Sequence, residues 1–404
     1  MQRARHLTTR ARVALLAAIL ALLALLPWLM LHGHLAAALG LLTGLVLLAC
    51  WLATHEWRVG RRPVAALLVV GAVATIATVG WYAARLNSRL DDISRVDNGA
   101  LSKGERPDPA PVEAVNILLL GSDGRRAAPG QLDLAGQLAS GTWVPDRFNS
   151  DSIMVLHLPA SRKRAEVVSI PRDFYVPIVD AEGVTHPADK INQAFADYGP
   201  YGTLRTIETL ADLRIDHLAI IDFQGFRDLT TAVGGVRVFV PETIVDTYQD
   251  VTWERGWTTL RGDRALQYVR TRHGLAQGDF DRARRQQNFL RALMAKVLAD
   301  GTLGNPARLD ATLAAITDNL TVDSAWSNQE IRGLVLSLRG LSMDKVRFVT
   351  LPLDHYETLP EVGAVNILDP VRARELFESL AQDRIARYLK RHPEDELQAP
   401  EDVS

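Results

Sequence analysis

Three apolar stretches, at residues 13–31, 35–53 and 64–84, crowd into the first 86 positions, and none contains Asp, Glu, Lys or Arg. Each is close to the ~20 residues a helix needs to cross a ~30 Å hydrocarbon layer. A cleavable signal peptide has one short apolar region, so three in succession read as a permanent anchor of three transmembrane helices. Buried helices of a water-soluble protein are the alternative, and uncharged, consecutive spans argue against it. Direction follows from the arginines. Arg3, Arg5, Arg10 and Arg12 precede the first stretch, and Arg58, Arg61 and Arg62 lie between the second and third. The link His32-Gly33-His34 has neither Lys nor Arg. The positive-inside rule then puts the N-terminus in the cytoplasm, and three crossings leave everything after about Arg85 outside. His32 and His34 read as a polar turn rather than a metal pair, and Cys50 as packing within a span.

Charge is split along the chain. Residues 1–90 hold nine Arg, no Lys and one acid (Glu56), a net of +8, which leaves 36 basic and 46 acidic groups, a net of −10, for residues 91–404. An acidic outer part excludes a general nucleic-acid binder, because polyphosphate recognition needs a positive surface. The single cysteine excludes a disulfide framework and any Cys-based zinc site.

Residues 87–112, with Asp91, Asp92, Asp97, Gly99, Gly104 and three prolines, read as a linker. An ordered domain is expected over 113–390. It opens on Val115-Asn116-Ile117-Leu118-Leu119-Leu120, an apolar run ended by Gly121, and continues with the run 153–158. Continuous apolar runs of this length suit strands buried on both faces. Further strands are expected at 165–170, 217–222, 236–240 and 345–351. Helices are expected near 189–198, 201–213, 223–233, 261–269, 281–299, 305–318, 327–339 and 369–389. Such a mixture predicts an α/β sheet covered by helices on both faces. Residues 125–146 read as a loop, and residues 391–404 as a disordered acidic tail.

Polar residues stand against apolar elements in five places. Gly121-Ser122-Asp123-Gly124-Arg125 ends the leading strand, where ligand sites of α/β sheets collect, although an exposed turn acid would look the same. It lacks the spacing and lysine of a P-loop. Arg147-Phe148-Asn149-Ser150-Asp151-Ser152 brings Asp151 beside a buried strand, where an unpaired charge is expensive; a turn cap is the alternative. Asp123 and Asp151 would then flank neighbouring strand ends, and paired carboxylates with water suit Mg²⁺. In Ser169-Ile170-Pro171-Arg172-Asp173, Pro171 stops a strand and delivers Arg172, to a site or to a surface ion pair. Lys190 in Asp189-Lys190-Ile191-Asn192 falls in a first helical turn, where a cation opposes the helix dipole unless an anion is near.

The fifth cluster says most. Tyr268-Val269-Arg270-Thr271-Arg272 is followed by Gly278-Asp279-Phe280-Asp281-Arg282-Ala283-Arg284-Arg285-Gln286-Gln287. A helix from about Asp281 has an apolar stripe of Phe289, Leu290, Leu293, Met294, Val297 and Leu298. At ~100° per residue Arg282 and Gln286 share that stripe, while Arg284 and Arg291 face away. Arg270 and Arg272 would share one side of an extended segment. Converging guanidinium groups offer planar, bidentate donors to phosphate. With no Cys in these clusters, no HExxH and no Ser–His–Asp spacing, two acids and several cations describe phosphate handling by Mg²⁺ and arginine clamps. The residues alone therefore give an outward-facing, membrane-tethered domain that binds a phosphorylated ligand.

NILLLGSDGR, RFNSDSIMV, SIPRD, DKINQAFADYG, YVRTRH and DFDRARRQQNFL, in this order across residues 115–298, resemble the LytR-CpsA-Psr family. That resemblance implies a central mixed β-sheet flanked by helices on both faces, with a long apolar pocket for a polyprenyl chain. It implies an activity as well: phosphotransfer of a glycopolymer, such as a teichoic acid or arabinogalactan, from a polyprenyl-diphosphate carrier to peptidoglycan, with a phosphodiester formed at a muramic acid 6-hydroxyl. Carried over by position, Asp123 and Asp151 correspond to the acids associated with Mg²⁺ (or Mn²⁺). Arg147, Arg172, Lys190, Arg270, Arg272, Arg282 and Gln286 correspond to the diphosphate-binding set, and Asp123, Arg172 and Arg270 to the catalytic groups. The expected partners are the carrier-linked glycopolymer, peptidoglycan and the membrane, without nucleic acid. Hydrolysis of the polyprenyl diphosphate and membrane-bound transcriptional attenuation are the rival readings. The latter needs a cytoplasmic DNA-binding element, and the expected cytoplasmic parts amount to a short N-terminus and one loop.

Overall fold

The computed structural model describes residues 88–97, 105–109, 113–123, 134–141, 143–271, 279–298, 306–338 and 340–403, with isolated positions between Gly44 and Arg85. Apart from those positions, the three expected spans lie outside the described residues, as does Arg272. Among the described residues no helix is long and apolar enough to cross a membrane. The chain divides into two compact units, residues 1–89 with 297–311 and residues 90–296 with 312–404. The sheet and the site described below belong to the second.

Its centre is a seven-stranded sheet. The strands are β1 (Ser94–Val96), β2 (Val115–Ser122), β3 (Ser150–Leu158), β4 (Ala165–Ser169), β7 (His217–Asp222), β12 (Leu320–Asp323) and β13 (Val346–Thr350). They lie in the order β1-β12-β7-β2-β3-β4-β13. β2 runs parallel to β7 and antiparallel to β3, which is antiparallel to β4, while β13 is parallel to β4. The expected mixed sheet is therefore present. Its apolar runs are continuous because both faces are covered. Leu118 and Leu120 of β2 pack into one core with Phe195, Leu204 and Ile207, and Ile117 packs into the other with Met154 and Trp326.

The first core is closed by α2 (Ile191–Ala211), α8 (Pro370–Ala381) and α9 (Ile385–Arg391). α2 is kinked at Gly199, whose φ of 70° and ψ of −164° precede Pro200. Proline has no N–H to give the carbonyl four residues back. That carbonyl, on Ala196, instead accepts from Trp143 Nε1 at 2.9 Å and from the Asp146 N–H at 3.1 Å. A side chain at position 199 would also strike the Trp143 ring, 2.9 Å from the Cβ it would carry. The two helices expected at 189–198 and 201–213 are the two limbs of this bent helix. The remaining helices are α1 (Leu134–Ser140), α3 (Phe223–Ala232), α4 (Gly262–Arg270), α5 (Asp279–Leu298), α6 (Pro306–Thr317) and α7 (Asn328–Ser337).

Several expectations need correction. The linker contains β1, which pairs in parallel with β12. The expected loop 125–146 contains α1, whose Leu134 and Leu138 are buried in the first core. The acidic tail is packed rather than disordered: the Leu397 N–H donates to Phe348 O at 2.8 Å and Val403 is 2% exposed. Its acids are held by a cation, since Arg372 Nη2 reaches Asp395 Oδ1 at 2.7 Å. The span 369–389 holds two helices, because the chain turns at Gln382–Arg384, where Asp383 has a φ of 59°. The strand expected at 236–240 is β8 (Val236–Val240), but its pairing with β11 (Gly256–Leu260) was not foreseen, nor were the ribbons β5 (Tyr175–Val179) with β6 (Thr185–Lys190), β9 (Ile244–Asp246) with β10 (Val251–Trp253), and β14 (Leu353–Leu359) with β15 (Gly363–Leu368).

Candidate active site

Strand directions gather the sequence clusters at one end of the sheet. Because β2 and β4 both run antiparallel to β3, the C-terminal ends of β2 and β4 meet the start of β3. Asp123, Arg172 and Asp151 occupy those ends. The ladder between β2 and β3 shifts register between Gly121 and Ser122, which pair with Ser152 and Ser150, so Asp151 is the unopposed residue of a bulge. Bulges re-aim side chains, and they recur beside active sites. Glycine eases the close approach at position 121, where a Cβ would lie 3.0 Å from Ser152 Cβ. The turn beyond is closed on Asn149: its N–H donates to Asp123 Oδ1 at 2.7 Å, and its carbonyl accepts from the Asp123 N–H at 3.1 Å.

A chain of alternating charge starts at the bulge. Arg172 Nη1 donates to Asp151 Oδ1 at 2.5 Å, and both side chains are largely buried. On its other side Arg172 Nε lies 3.8 Å from Asp173 Oδ2, whose second oxygen lies 3.8 Å from Lys190 Nζ. Lys190 occupies the N-cap position of α2. Asp173 is the anion that this placement called for. The turn is locked from below, with the Asn192 N–H donating to Arg172 O at 3.1 Å and the Ile191 N–H to Phe174 O at 2.8 Å.

α4 and α5 supply the opposite wall. Gln286 Nε2 reaches both Asp151 O and Val269 O at 3.4 Å, as its place on the inward stripe predicts. Arg282 is 2% exposed. Arg285, for which no inward place was expected, is fully buried with its guanidinium 5.1 Å from the Tyr268 ring. Burial pushes Arg285 below its ordinary pKa and Tyr268 above its own, while Tyr268, Asp281 and Asp246 act on Arg285 in the opposite sense. The spacing 282, 285, 289 is itself a helical stripe and could have found it. Arg291, expected to face away from the stripe, is half-buried and donates to Gln398 O at 2.7 Å. Arg270 is the last residue of α4, not part of an extended segment, and its guanidinium lies 4.5 Å from the Phe223 ring. Arg147 enters the turn before β3 with its guanidinium 5.4 Å from the Phe148 ring, and its described contacts stay within that turn. Arg272 lies outside the described residues. Asp173, Phe223 and Asn149 join the site without any role having been expected of them.

Behind this cluster lies an apolar cavity of about 350 Å³ between the sheet and helices α3, α4 and α5. Met154, Ala219, Phe226, Leu229, Leu290 and Leu293 form much of its wall. The charged and amide side chains in that wall are Asp151, Asp222, Arg270 and Gln286, so the greasy space opens on the charged sheet end. Asp222 is committed to capping α3, accepting from the Gly225 N–H at 2.7 Å. The arrangement offers an apolar chain a dry slot and an anionic head several cations.

The chain is similar to several known proteins. The LytR_cpsA_psr family pattern matches residues 86–374. The cell wall biosynthesis protein LcpA of Corynebacterium glutamicum is 34% identical over 288 residues, covering 66% of this chain and 55% of that protein. The probable cell wall biosynthesis protein LcpB of the same organism is 32% identical over 323 residues, covering 78% of this chain and 70% of that one. The Bacillus subtilis polyisoprenyl-teichoic acid–peptidoglycan teichoic acid transferase TagV is 33% identical over 176 residues, 42% of this chain and 44% of TagV. The chain thus spans about half the length of LcpA and of TagV. Among solved structures, B. subtilis TagV superposes with a TM-score of 0.54 at 24% identity, covering 68% of this chain and 98% of TagV, a likeness of fold. TagT bound to LIIa-WTA gives 0.51 at 26% identity, over 70% of this chain and 97% of that one.

Proposed function

Because this chain belongs to the LytR_cpsA_psr family, we propose that it is a membrane-tethered, extracytoplasmic transferase. It moves a glycopolymer from a polyprenyl-diphosphate carrier onto peptidoglycan, forming a phosphodiester at a muramic acid 6-hydroxyl. The observation that carries the reading is the apolar cavity opening on the Asp151–Arg172–Asp173–Lys190 chain. A polyprenyl tail gains ~25 cal/mol for each Å² it buries, which suits the cavity between α3 and α5. Its diphosphate then meets Arg172, Arg270, Arg282 and Lys190, with Gln286 fixing the wall between them. Arg147 and Arg272 complete the proposed set.

In the transfer the acceptor oxygen bonds to the glycopolymer-bearing phosphorus as the bond to polyprenyl phosphate breaks. Such reactions are driven by positioning and by charge placed where negative charge develops. Arg172 is preorganised for that role by Asp151. The acids fit Mg²⁺ or Mn²⁺, because such ions take one or two carboxylates and complete their shell with phosphate oxygens and water. Asp123 Oδ1 accepts from the Asn149 N–H, and Asp151 Oδ1 accepts from Arg172 Nη1. Asp123 and Asp151 would hold the ion, which would offset diphosphate charge.

The test is reconstitution of the full chain with a synthetic polyprenyl-diphosphate oligosaccharide and peptidoglycan. Mass spectrometry of the digested wall is expected to find the oligosaccharide on muramic acid through one phosphate. Release of free oligosaccharide phosphate alone would favour hydrolysis and overturn the transferase reading.

A further inference from the structure

A second, smaller cavity of about 260 Å³ lies beside the charge chain, between Asp173 and the β14–β15 ribbon. The ribbon is fastened to the turn that carries Arg172. Phe174 forms a parallel bridge with Asn366, and the Asn366 N–H donates to Asp173 O at 2.9 Å. Tyr356 stands directly across the ladder from Asn366, and Thr358 across from Ala364, so these four share one face. The Tyr356 ring is held edge-on by Phe280 of α5, with centroids 6.1 Å apart at 88°, and Phe280 in turn packs edge-on against Phe174 at 6.0 Å. Even so, Tyr356 is 55% exposed.

Asn366 is the informative residue. It is 4% exposed, lines this cavity, and its Nδ2 has no hydrogen-bond partner among the described residues. A buried donor left unmade costs ~1–3 kcal/mol, and folded proteins rarely keep one without a use. Arg172 joins the two cavities. It touches Asp151, in the wall of the apolar one, at 2.5 Å, and lies 3.8 Å from Asp173, in the wall of the second.

We infer that the groove formed by Asp173, Tyr356, Thr358 and Asn366 is the acceptor subsite, and that it takes an N-acetylated amino-sugar strand. This inference rests on the transferase reading above. The exposed Tyr356 ring offers a flat apolar face to a pyranose, an amphipathic platform of the kind aromatic residues supply at binding surfaces. Asn366 Nδ2 donates to an acetamido carbonyl, and Asp173 and Thr358 receive sugar hydroxyls. A strand so placed presents a hydroxyl to a phosphorus gripped by Arg172, from the side away from the lipid slot.

The experiment uses the full chain in detergent micelles and a soluble tetrasaccharide of alternating N-acetylglucosamine and N-acetylmuramic acid, titrated calorimetrically without any carrier lipid. Tyr356→Ala and Asn366→Ala are each expected to raise the tetrasaccharide Kd at least about tenfold, the loss of roughly one good contact. Tyr356→Phe, which keeps the ring, is expected to bind like the parent protein. In transfer assays the alanine variants should raise the acceptor KM and leave the carrier KM in place. Leu290→Asp, in the lipid slot, should do the reverse. An unchanged tetrasaccharide Kd in both alanine variants overturns the subsite. Absence of carrier binding by the unmodified protein would instead overturn the transferase reading, and the lipid-free titration registers the two failures separately.

Discussion

Replacing Arg172 by Gln separates a structural ion pair from a catalytic clamp. Arg172 and Asp151 meet at 2.5 Å with side chains 16% and 14% exposed. Stranding one partner of a buried pair costs ~3–5 kcal/mol, whereas an exposed pair is worth ~0–1 kcal/mol. At this partial burial the single variant should lose about 2 kcal/mol, a fall of several degrees in melting temperature. Arg172→Gln combined with Asp151→Asn removes both charges and keeps an amide at each position. Its stability should return to within about 0.5 kcal/mol of the parent. Transfer should not return, because the diphosphate has lost a cation that no amide replaces and the proposed ion has lost one of its two carboxylates; a drop in kcat/KM of at least ~100-fold, about 2.7 kcal/mol, is expected. Thermal unfolding and transfer from a labelled polyprenyl-diphosphate oligosaccharide, run on one preparation, read the two effects. A double variant that regained turnover along with stability would refute the clamp and reduce the pair to a staple between β3 and β4.

Chelation with EDTA should suppress transfer and added Mg²⁺ should restore it, while full turnover in chelator would remove the metal role of Asp123 and Asp151. Leu290→Asp puts a charge into the apolar cavity; polyprenyl-phosphate affinity should fall at least about tenfold, with inorganic diphosphate binding retained as the control. Glu166 on β4 is 1% exposed and pushed up to about 7, first by burial, against the pull of Arg164 at 2.8 Å. A carboxyl raised in the folded state favours folding at low pH, so stability should decline by up to about 3 kcal/mol as pH rises from about 4.5 through 7. Glu166→Gln should flatten that slope in melting curves taken from pH 5 to 7.5, and an unchanged slope would exonerate Glu166. A reporter fused after Ser404 should be active only outside the cytoplasm, and a cytoplasmic signal would overturn the expected topology.

What was legible in the sequence follows from how strongly each element is constrained. β2 and β3 are buried on both faces, so their apolar runs stood out, and strand polarity alone then carries Asp123, Asp151 and Arg172 to one end of the sheet. α5 announced its inward Arg282 and Gln286 through a long apolar stripe. β1 has only three residues, Ser94-Arg95-Val96, and gains its place from β12 far along the chain, a signal no local pattern contains. β14 is exposed along most of its length, so its apolar alternation is weak. The ribbon was invisible for that reason, and the Asn366 groove with it. Asp173 was quoted within its cluster, but its importance lies in standing between Arg172 and Lys190, a relation of space rather than of spacing. The tail read as disordered because acids dominate it, whereas Leu397, Val403 and the Arg372–Asp395 pair hold it down.

Photocrosslinking addresses the central claim most directly. A polyprenyl diphosphate bearing a diazirine partway along its chain, irradiated with the full-length protein and mapped by peptide mass spectrometry, should label residues of the α3–α5 cavity such as Met154, Phe226 and Leu290. Excess unlabelled carrier should abolish the signal. Labelling confined to other surfaces, or unaffected by competitor, would contradict the placement of a lipid-borne diphosphate at this end of the sheet.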